Sequence, residues 1–236
     1  GVGPATGSTT SDIDGVNYAF VAPDYRRDAS GPAPTRYLPA NGVVNSAATN
    51  GLMYQLAGYS GSNALRLPDT GDMDSLVLIT PRSAGEVFVL ATSGSGESVI
   101  SCVINFTDNT SQTFDSIEIS DWYGGSGFAI QGIGRVNLAN NGLEGNANDP
   151  RLYELKLGLT NANLSKPIRS ITIQKTSGDG IVIVMGVSIN NAACYIPSGF
   201  TADNLRADGA DLEWTPPVQG TSSGYEWRIV PAGGAV

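Results

Sequence analysis

Residues 98–120 read SVISCVINFTDNTSQTFDSIEIS, and this stretch carries the plainest prediction of the fold. Every second residue in its first half is apolar or a cysteine: Ile100, Cys102, Ile104 and Phe106. Side chains at alternate positions of a β-strand point to one face, so we expect these four to face the core. Asp108 and Asn109 favour a tight turn, after which QTFDSIEIS begins a second strand. The stretch therefore predicts a β-hairpin.

Similar short runs, separated by Gly- and Asn-rich turns, recur along the chain, and none shows a convincing helical period. They are VNYAFVA (16–22), GLMYQLAG (51–58), NALRLP (63–68), DSLVLIT (74–80), EVFVLATS (86–93), RLYELKLGL (151–159), IRSITIQK (168–175) and GIVIVMGVSI (180–189). The run IVIVMGV is apolar at successive positions, which is typical of a strand covered on both faces. The pattern predicts an all-β chain whose residues 12–190 form an antiparallel, two-sheet, jelly-roll-like sandwich.

The connection from about residue 121 to 150 is much longer than an ordinary hairpin link, and loops of that size are often functional. It opens with Asp121, Trp122 and Tyr123, and it also contains Arg135 and Asn137. Aromatic rings stack on sugar rings, while carboxylate, amide and guanidinium groups bind hydroxyls, so these five residues form a candidate glycan site. The alternative is that Trp122 caps the end of the sandwich as a core residue.

The composition excludes several classes of function. The chain has 13 Lys and Arg against 22 Asp and Glu, for a net charge of -9, which argues against nucleic acid as a partner. It has no histidine, so catalysis by an imidazole base is excluded. No apolar run approaches the length of a membrane span. The low charge and abundant small polar residues favour a secreted or cell-surface protein.

Calcium is a candidate cofactor, because three loops are rich in oxygen ligands. The first contains Asp12, Asp14 and Asn17, the second Asp69, Asp72 and Asp74, and the third Asn146, Asn148 and Asp149. The alternative for each is a solvated acidic turn. Two further positions, Ser75 and Ser116, lie in Asp-Ser-Leu and Asp-Ser-Ile triplets that resemble an O-glycosylation signal of some secreted bacterial proteins.

The chain has two cysteines, Cys102 and Cys194. A disulfide between them and two unpaired thiols both remain open, because spacing alone does not decide pairing.

Residues 191–236 resemble the first half of a fibronectin type III domain. The resemblance rests on FTADNL, on ADLEWTPP with Trp214, and on YEWRIVPAG with Tyr225. It implies a partial immunoglobulin-like module, and it divides the chain into a linker (1–11), the sandwich (12–190) and this module (191–236).

The sandwich region is similar to a domain that recurs in large secreted bacterial proteins and to galactose-binding-like and carbohydrate-binding modules. The motifs are GLMYQLAGYSGSNALRL, VINFTDNTSQTF, SDWYGG, GRV and DPRLYELKL. Together the resemblances imply a non-catalytic module that serves in glycan binding or adhesion, with a glycan and neighbouring domains as partners. The alternatives are a spacer or docking module of an adhesin or of type IX secretion cargo, and a fragment of a glycoside-active enzyme.

Overall fold

The structure, a computed structural model, describes residues 12–190, 198–206 and 209–215. Its regular structure is almost entirely β, with a single 3-10 turn at Asn161–Asn163 in the described part of the chain. The strands are β1 Tyr18–Phe20, β2 Val43–Asn45, β3 Met53–Gln55, β4 Leu65–Leu67, β5 Met73–Arg82, β6 Glu86–Gly94, β7 Ser98–Phe106, β8 Ser111–Ile119, β9 Phe128–Gln131, β10 Arg135–Asn137, β11 Gly142–Glu144, β12 Arg151–Gly158, β13 Ile168–Ser177, β14 Ile181–Asn190, β15 Ser198–Arg206 and β16 Gly209–Thr215.

Two antiparallel sheets face each other and form the sandwich. One has five strands in the order β4-β14-β6-β12-β9, and the other has four strands in the order β5-β13-β7-β8. The core between them is mostly aliphatic and draws alternate residues from both sheets, as in Val87 and Val89 of β6 and Ile171 and Ile173 of β13. The prediction of an all-β antiparallel sandwich is confirmed.

The alternation predicted from the sequence is also confirmed in detail. The four residues of β7 predicted to face the core, Ile100, Cys102, Ile104 and Phe106, are all buried. All ten predicted runs contain strands, and the predicted turn lies between β7 and β8, where Asn109 has a positive φ of 65°.

A third layer covers the other face of the five-stranded sheet. It consists of the small sheet β1-β10-β11, the β2-β3 hairpin and the segments between them. This layer packs on β6 through a second hydrophobic cluster. The cluster contains Phe20, Val44, Tyr54 and Trp122 from the layer and its adjoining segment, and Phe88 and Leu90 from β6. Since apolar layers lie on both sides, β6 and the first half of β14 are buried on both faces, as expected for IVIVMGV.

The region 121–150 differs from the long loop that was expected. It contains β9, β10 and β11, each of only three or four residues. These strands are too short to produce a readable period, so the sequence pattern did not predict them.

In the C-terminal region, β15 and β16 form an antiparallel hairpin, and the rings of Phe200 and Trp214 stack with centroids 6.5 Å apart. The motifs FTADNL and ADLEWTPP thus contribute strands, while YEWRIVPAG lies outside the described residues. Cys194 lies outside them too, whereas Cys102 is a free cysteine in the structure and forms no disulfide there. Cys102 is a buried core residue, and burial raises the pKa of its thiol to about 12.

Candidate functional site

Four of the five candidate glycan residues meet at one end of the small sheet, where Tyr18 of β1 lies opposite Asn137 of β10. The guanidinium of Arg135 lies over the ring of Tyr18, 3.7 Å from its centroid, and 4.8 Å from the centroid of Tyr123. Its Nη2 atom lies 3.0 Å from Oε2 of Glu144 on β11. We call this group the Arg135 cluster: Tyr18, Trp122, Tyr123, Arg135, Asn137 and Glu144.

Hydrogen bonds complete the cluster. The Asn137 amide donates to the hydroxyl of Tyr18 at 3.2 Å, and that hydroxyl donates to Oε1 of Glu144 at 3.3 Å. The charge of Arg135 is therefore met by a carboxylate at its edge and by aromatic rings at its faces, which stabilises a cation without any added ligand.

Trp122 is only 2% exposed. Its ring packs edge-on against Phe20, with centroids 5.5 Å apart, and against Tyr123 at 5.9 Å. A sugar needs a free aromatic face, so the stacking role predicted for Trp122 is corrected: Trp122 is a core residue that closes this end of the sandwich.

Asp121 lies apart from the cluster, on the side of Trp122 that faces the β6–β7 turn. Its Oδ2 accepts a hydrogen bond from the Gly96 N–H at 2.6 Å, and its Oδ1 accepts one from the Tyr123 N–H at 2.9 Å. Both carboxylate oxygens thus hold the backbone of two neighbouring segments together, and a role of Asp121 in binding hydroxyls stays a prediction.

Sequence reasoning missed Tyr18 and Glu144 as members of the site. One signal was available for Glu144: Arg135 and Glu144 flank the Asn141–Gly142 turn, and a hairpin there places the two charges opposite each other. Tyr18 is more than 100 residues from its partner Asn137, and only the register of β1 against β10 brings them together.

A small open cavity of about 120 Å³ adjoins the cluster on the far side of Glu144. Its lining residues are Pro34, Thr35, Arg36, Leu143, Glu144 and Gly145. Arg36 is exposed and forms no ion pair within the described ranges, so it is the cation at this rim that remains able to meet a ligand.

In the first predicted calcium loop, the carboxylates of Asp12 and Asp14 accept hydrogen bonds from the backbone of the loop itself, and Asp12 also pairs with Arg66. Oδ1 of Asp12 accepts from the Gly15 N–H and pairs with Arg66, and its Oδ2 accepts from the Asn17 N–H at 3.3 Å. Oδ1 of Asp14 accepts from the N–H groups of Val16 and Tyr18. Burial raises the pKa of Asp14, and these two hydrogen bonds oppose that rise.

The other two loops follow the same pattern. Asp72 accepts from the Asp69 N–H at 2.9 Å, and Asp74 accepts from the Ser75 N–H at 2.7 Å. Oδ1 of Asn146 accepts from the N–H groups of Asn148 and Asp149. Among the residues with described positions, no group of three or more acidic or cysteine side chains converges on a metal position. The side chains of these loops cap turns, and calcium binding there stays a prediction.

The two candidate modification sites are both exposed and lie on the four-stranded sheet. The Ser75 hydroxyl is within 2.7 Å of the Thr172 hydroxyl. Ser116 lies in a bulge of β8 with a φ of 56°. Their glycosylation stays a prediction.

Another polar cluster, not predicted from the sequence, surrounds Glu154 of β12. Its carboxylate accepts hydrogen bonds from the hydroxyls of Ser46 at 2.6 Å, Thr49 at 2.5 Å and Tyr54 at 3.0 Å. The pKa of Tyr54 is raised, first by burial and then by the adjacent Glu154. This half-buried carboxylate attaches the β2–β3 hairpin to the five-stranded sheet.

No protein-family model matches the chain, and a search of curated proteins finds no relative. No helix in the described ranges is long and apolar enough to cross a membrane.

Proposed function

We propose that the chain is a non-catalytic β-sandwich module of a secreted or cell-surface multidomain protein, and that it acts as a spacer or docking unit. The observation that supports this proposal most is the burial of Trp122, because the aromatic residue best suited to a sugar platform is used to close the core. A module that separates or positions other domains needs a rigid body more than it needs an open groove.

Three charged side chains that are engaged within the fold, those of Asp121, Arg135 and Glu154, support the same role. Asp121 and Glu154 use their carboxylate oxygens to join segments of the fold. Arg135 is neutralised by Glu144 and covered by Tyr18 and Tyr123. Groups engaged in this way rigidify the module and leave fewer donors and acceptors for substrate chemistry.

Affinity electrophoresis of the full chain in gels that contain neutral or acidic polysaccharides tests the proposal. A spacer is expected to migrate unretarded in every gel, relative to a non-binding reference protein. Retardation by any polysaccharide, abolished by excess soluble sugar, would contradict the spacer role.

Glycan binding is the second candidate function, now at the cavity beside Glu144 rather than at Trp122. The guanidinium of Arg36, which has no ion-pair partner in the described part of the chain, and the hydroxyl of Thr35 favour it, because they are the types of group that bind sugar hydroxyls and carboxylates. If a gel retards the chain, Arg36→Ala is expected to remove the effect. The matched variant Arg169→Ala, which changes an exposed arginine on the four-stranded sheet, is expected to retain it.

A further inference from the structure

The chain contains three Asn-Gly pairs, at residues 41–42, 50–51 and 141–142. In such a pair the backbone nitrogen of the glycine can attack the side-chain amide carbon of the asparagine, and the missing Cβ of glycine leaves the approach open. The nitrogen must lose its proton and come into contact with that carbon, so a hydrogen bond from its N–H to the protein opposes the attack. The structure places the three glycine N–H groups in different surroundings.

The pair of Asn41 and Gly42 is fixed by hydrogen bonds on both residues. Gly42 is buried, and its N–H donates to the Pro39 carbonyl oxygen at 2.9 Å. The side chain of Asn41 is engaged as well, because its Oδ1 accepts a hydrogen bond from the Val43 N–H at 3.0 Å. Both the attacking nitrogen and the amide that it would attack are therefore held apart by the fold.

The pair of Asn141 and Gly142 is fixed in a similar way. The Gly142 N–H donates to Oδ1 of Asn140 at 2.7 Å, and Gly142 pairs with Asn137 in the small sheet. Oδ1 of Asn141 is buried, and the Tyr25 hydroxyl donates to the Asn141 carbonyl oxygen at 3.1 Å. Movement of the Asn141 side chain towards the Gly142 nitrogen would disrupt these contacts.

Asn50 and Gly51 differ from both other pairs, because they lie exposed in the turn between β2 and β3. A hydrogen bond from the Leu52 N–H to the Thr49 carbonyl oxygen spans this turn at 3.2 Å. Neither the Gly51 N–H nor the Asn50 side chain is hydrogen-bonded to any described residue. No atom lies within 4 Å of the position that a Cβ would take on Gly51. The attacking nitrogen and its target are thus both free to move here.

We propose that Asn50 is a site of spontaneous deamidation, with water as the co-substrate, and that the reaction loosens the β2–β3 hairpin. The proposal does not depend on whether the module is a spacer or binds a glycan.

The reaction has two steps. The backbone nitrogen of Gly51 attacks Cγ of Asn50, so that a new C–N bond forms and the C–N bond of the side-chain amide breaks. The amide nitrogen leaves as ammonia and takes up the proton that the Gly51 nitrogen loses. One water then opens the resulting five-membered succinimide at either of its two carbonyl carbons, which yields aspartate or isoaspartate at position 50. The exchange consumes one water and releases one ammonia, with no oxidant or reductant.

Both products change the contacts that hold the hairpin. The Thr49 hydroxyl donates to Glu154 at 2.5 Å, so a carboxylate at position 50 places a second negative charge close to that of Glu154. Isoaspartate also lengthens the main chain by one methylene group, inside the turn that the hydrogen bond from Leu52 to Thr49 spans. Both changes oppose the attachment of the hairpin to β12.

Incubation of the folded full chain at mildly alkaline pH, followed by peptide mapping with mass spectrometry, tests the site. We expect aspartate and isoaspartate to accumulate at position 50 at least about tenfold faster than at positions 41 and 141, because a misplaced nucleophile loses rate to at least that extent. Isoaspartate is the specific signature, since direct hydrolysis of the side-chain amide yields aspartate alone. Equal rates at the three positions, or an unchanged Asn50, would overturn the proposal.

Two controls separate the fold from the local sequence. In urea the three pairs lose their protein contacts, so the rates at positions 41 and 141 are expected to rise towards the rate at position 50. Asn50→Gln keeps an exposed amide but requires a larger ring, and it is expected to abolish the product at position 50 without changing the other two positions. If the same order of rates persisted in urea, neighbouring residues rather than the fold would set it, and the assignment would be refuted.

Hydrogen exchange tests the consequence for the hairpin. The isoaspartate form, separated from the unreacted chain by ion exchange, is expected to exchange faster in β2 and β3 and at an unchanged rate in β7 and β13. Asn50→Asp adds the charge without lengthening the main chain, and it is expected to produce a smaller increase in the same strands. Unchanged exchange in β2 and β3 of the isoaspartate form would refute the loosening of the hairpin.

Discussion

The two faces of the five-stranded sheet are packed in different ways. The inner face meets long, regular strands through alternating aliphatic side chains such as Val89, Ile104 and Ile173. The outer face meets strands of three or four residues and large aromatic side chains such as Phe20, Tyr54 and Trp122. Short strands contribute few ladder hydrogen bonds, so the outer layer depends on individual side chains to keep its position.

Polar contacts show the same contrast. The inner core is apolar, whereas the outer layer is attached by specific interactions around Glu154 and Arg135. Apolar packing tolerates swaps that conserve volume, while a polar network loses its contribution when one member is removed. The comparison therefore predicts that the outer layer can be detached by single substitutions that leave the inner sandwich folded.

Trp122→Ala is expected to have the largest effect on the outer layer. Replacing a buried large aromatic residue by alanine destabilises a protein by about 3–5 kcal/mol, through lost burial and the cavity that remains. Urea unfolding measures the loss, and hydrogen exchange is expected to show lost protection in β1 and β3 while β7 and β13 remain protected. Trp122→Phe, which keeps a ring in the core, is the control and is expected to cost less. A loss below about 1 kcal/mol for the alanine variant would contradict a core role.

The next largest effect is expected for Gly134→Ala, in the turn between β9 and β10. Gly134 has a φ of 69°, and a Cβ atom there would lie 2.6 Å from the Arg36 carbonyl oxygen. The variant is therefore expected to lose more stability than the about 1–2 kcal/mol that a left-handed backbone alone costs, because the clash with the Arg36 carbonyl adds to that strain.

Gly51→Ala is the matched control for Gly134→Ala. Its φ is 77°, and no atom lies within 4 Å of the Cβ position. It is expected to cost only the strain of about 1–2 kcal/mol. Equal losses in urea unfolding of the two variants would contradict the close approach of residue 36 to the β9–β10 turn.

The inner sandwich could be predicted from the sequence because its strands are long enough to show a period. Tyr153, Leu155, Leu157 and Leu159 alternate with polar or small residues, and all four are buried. The Asp108–Asn109 turn was recognisable because the residue types at that turn have distinct backbone preferences.

The outer layer could not be predicted in the same way. Val43–Asn45 and Arg135–Asn137 are strands of three residues, too short for alternation to be distinguished from chance. The Arg135 cluster and the hydroxyls around Glu154 join segments about 100 or more residues apart. Local sequence patterns do not predict which residues of such distant segments lie opposite each other. Trp122 illustrates the limit, since the sequence left its two roles open and only packing decided between them.

Glu154→Ala is expected to have a smaller effect than the changes at Trp122 and Gly134. It leaves the hydroxyls of Ser46, Thr49 and Tyr54 without their shared acceptor, which costs about 1–3 kcal/mol. Hydrogen exchange is expected to rise in β2 and β3, because the carboxylate joins this hairpin to β12. Glu118→Ala, which removes an exposed glutamate from β8, is the control and is expected to stay within about 0.5 kcal/mol of the wild type. Unchanged exchange in β2 and β3 would contradict the attachment.

Cys102 offers the mildest test, and it probes the inner face. Its pKa is raised to about 12 by burial, against about 8.5 for an unfolded cysteine, so folding favours the protonated thiol. The stability that the buried thiol contributes is fully present below the pKa of the unfolded cysteine, and it is lost as pH rises towards the pKa of Cys102 in the folded protein. Under reducing conditions, the stability of the wild type relative to Cys102→Ala is therefore expected to be constant from pH 6 to 8 and to fall by about 1.4 kcal/mol per pH unit above about pH 9. All other ionisable groups are common to the two proteins, so the difference isolates Cys102. Parallel stability profiles up to pH 10 would mean that water reaches this position, and the inner face would then lack the dry packing that distinguishes it from the outer layer.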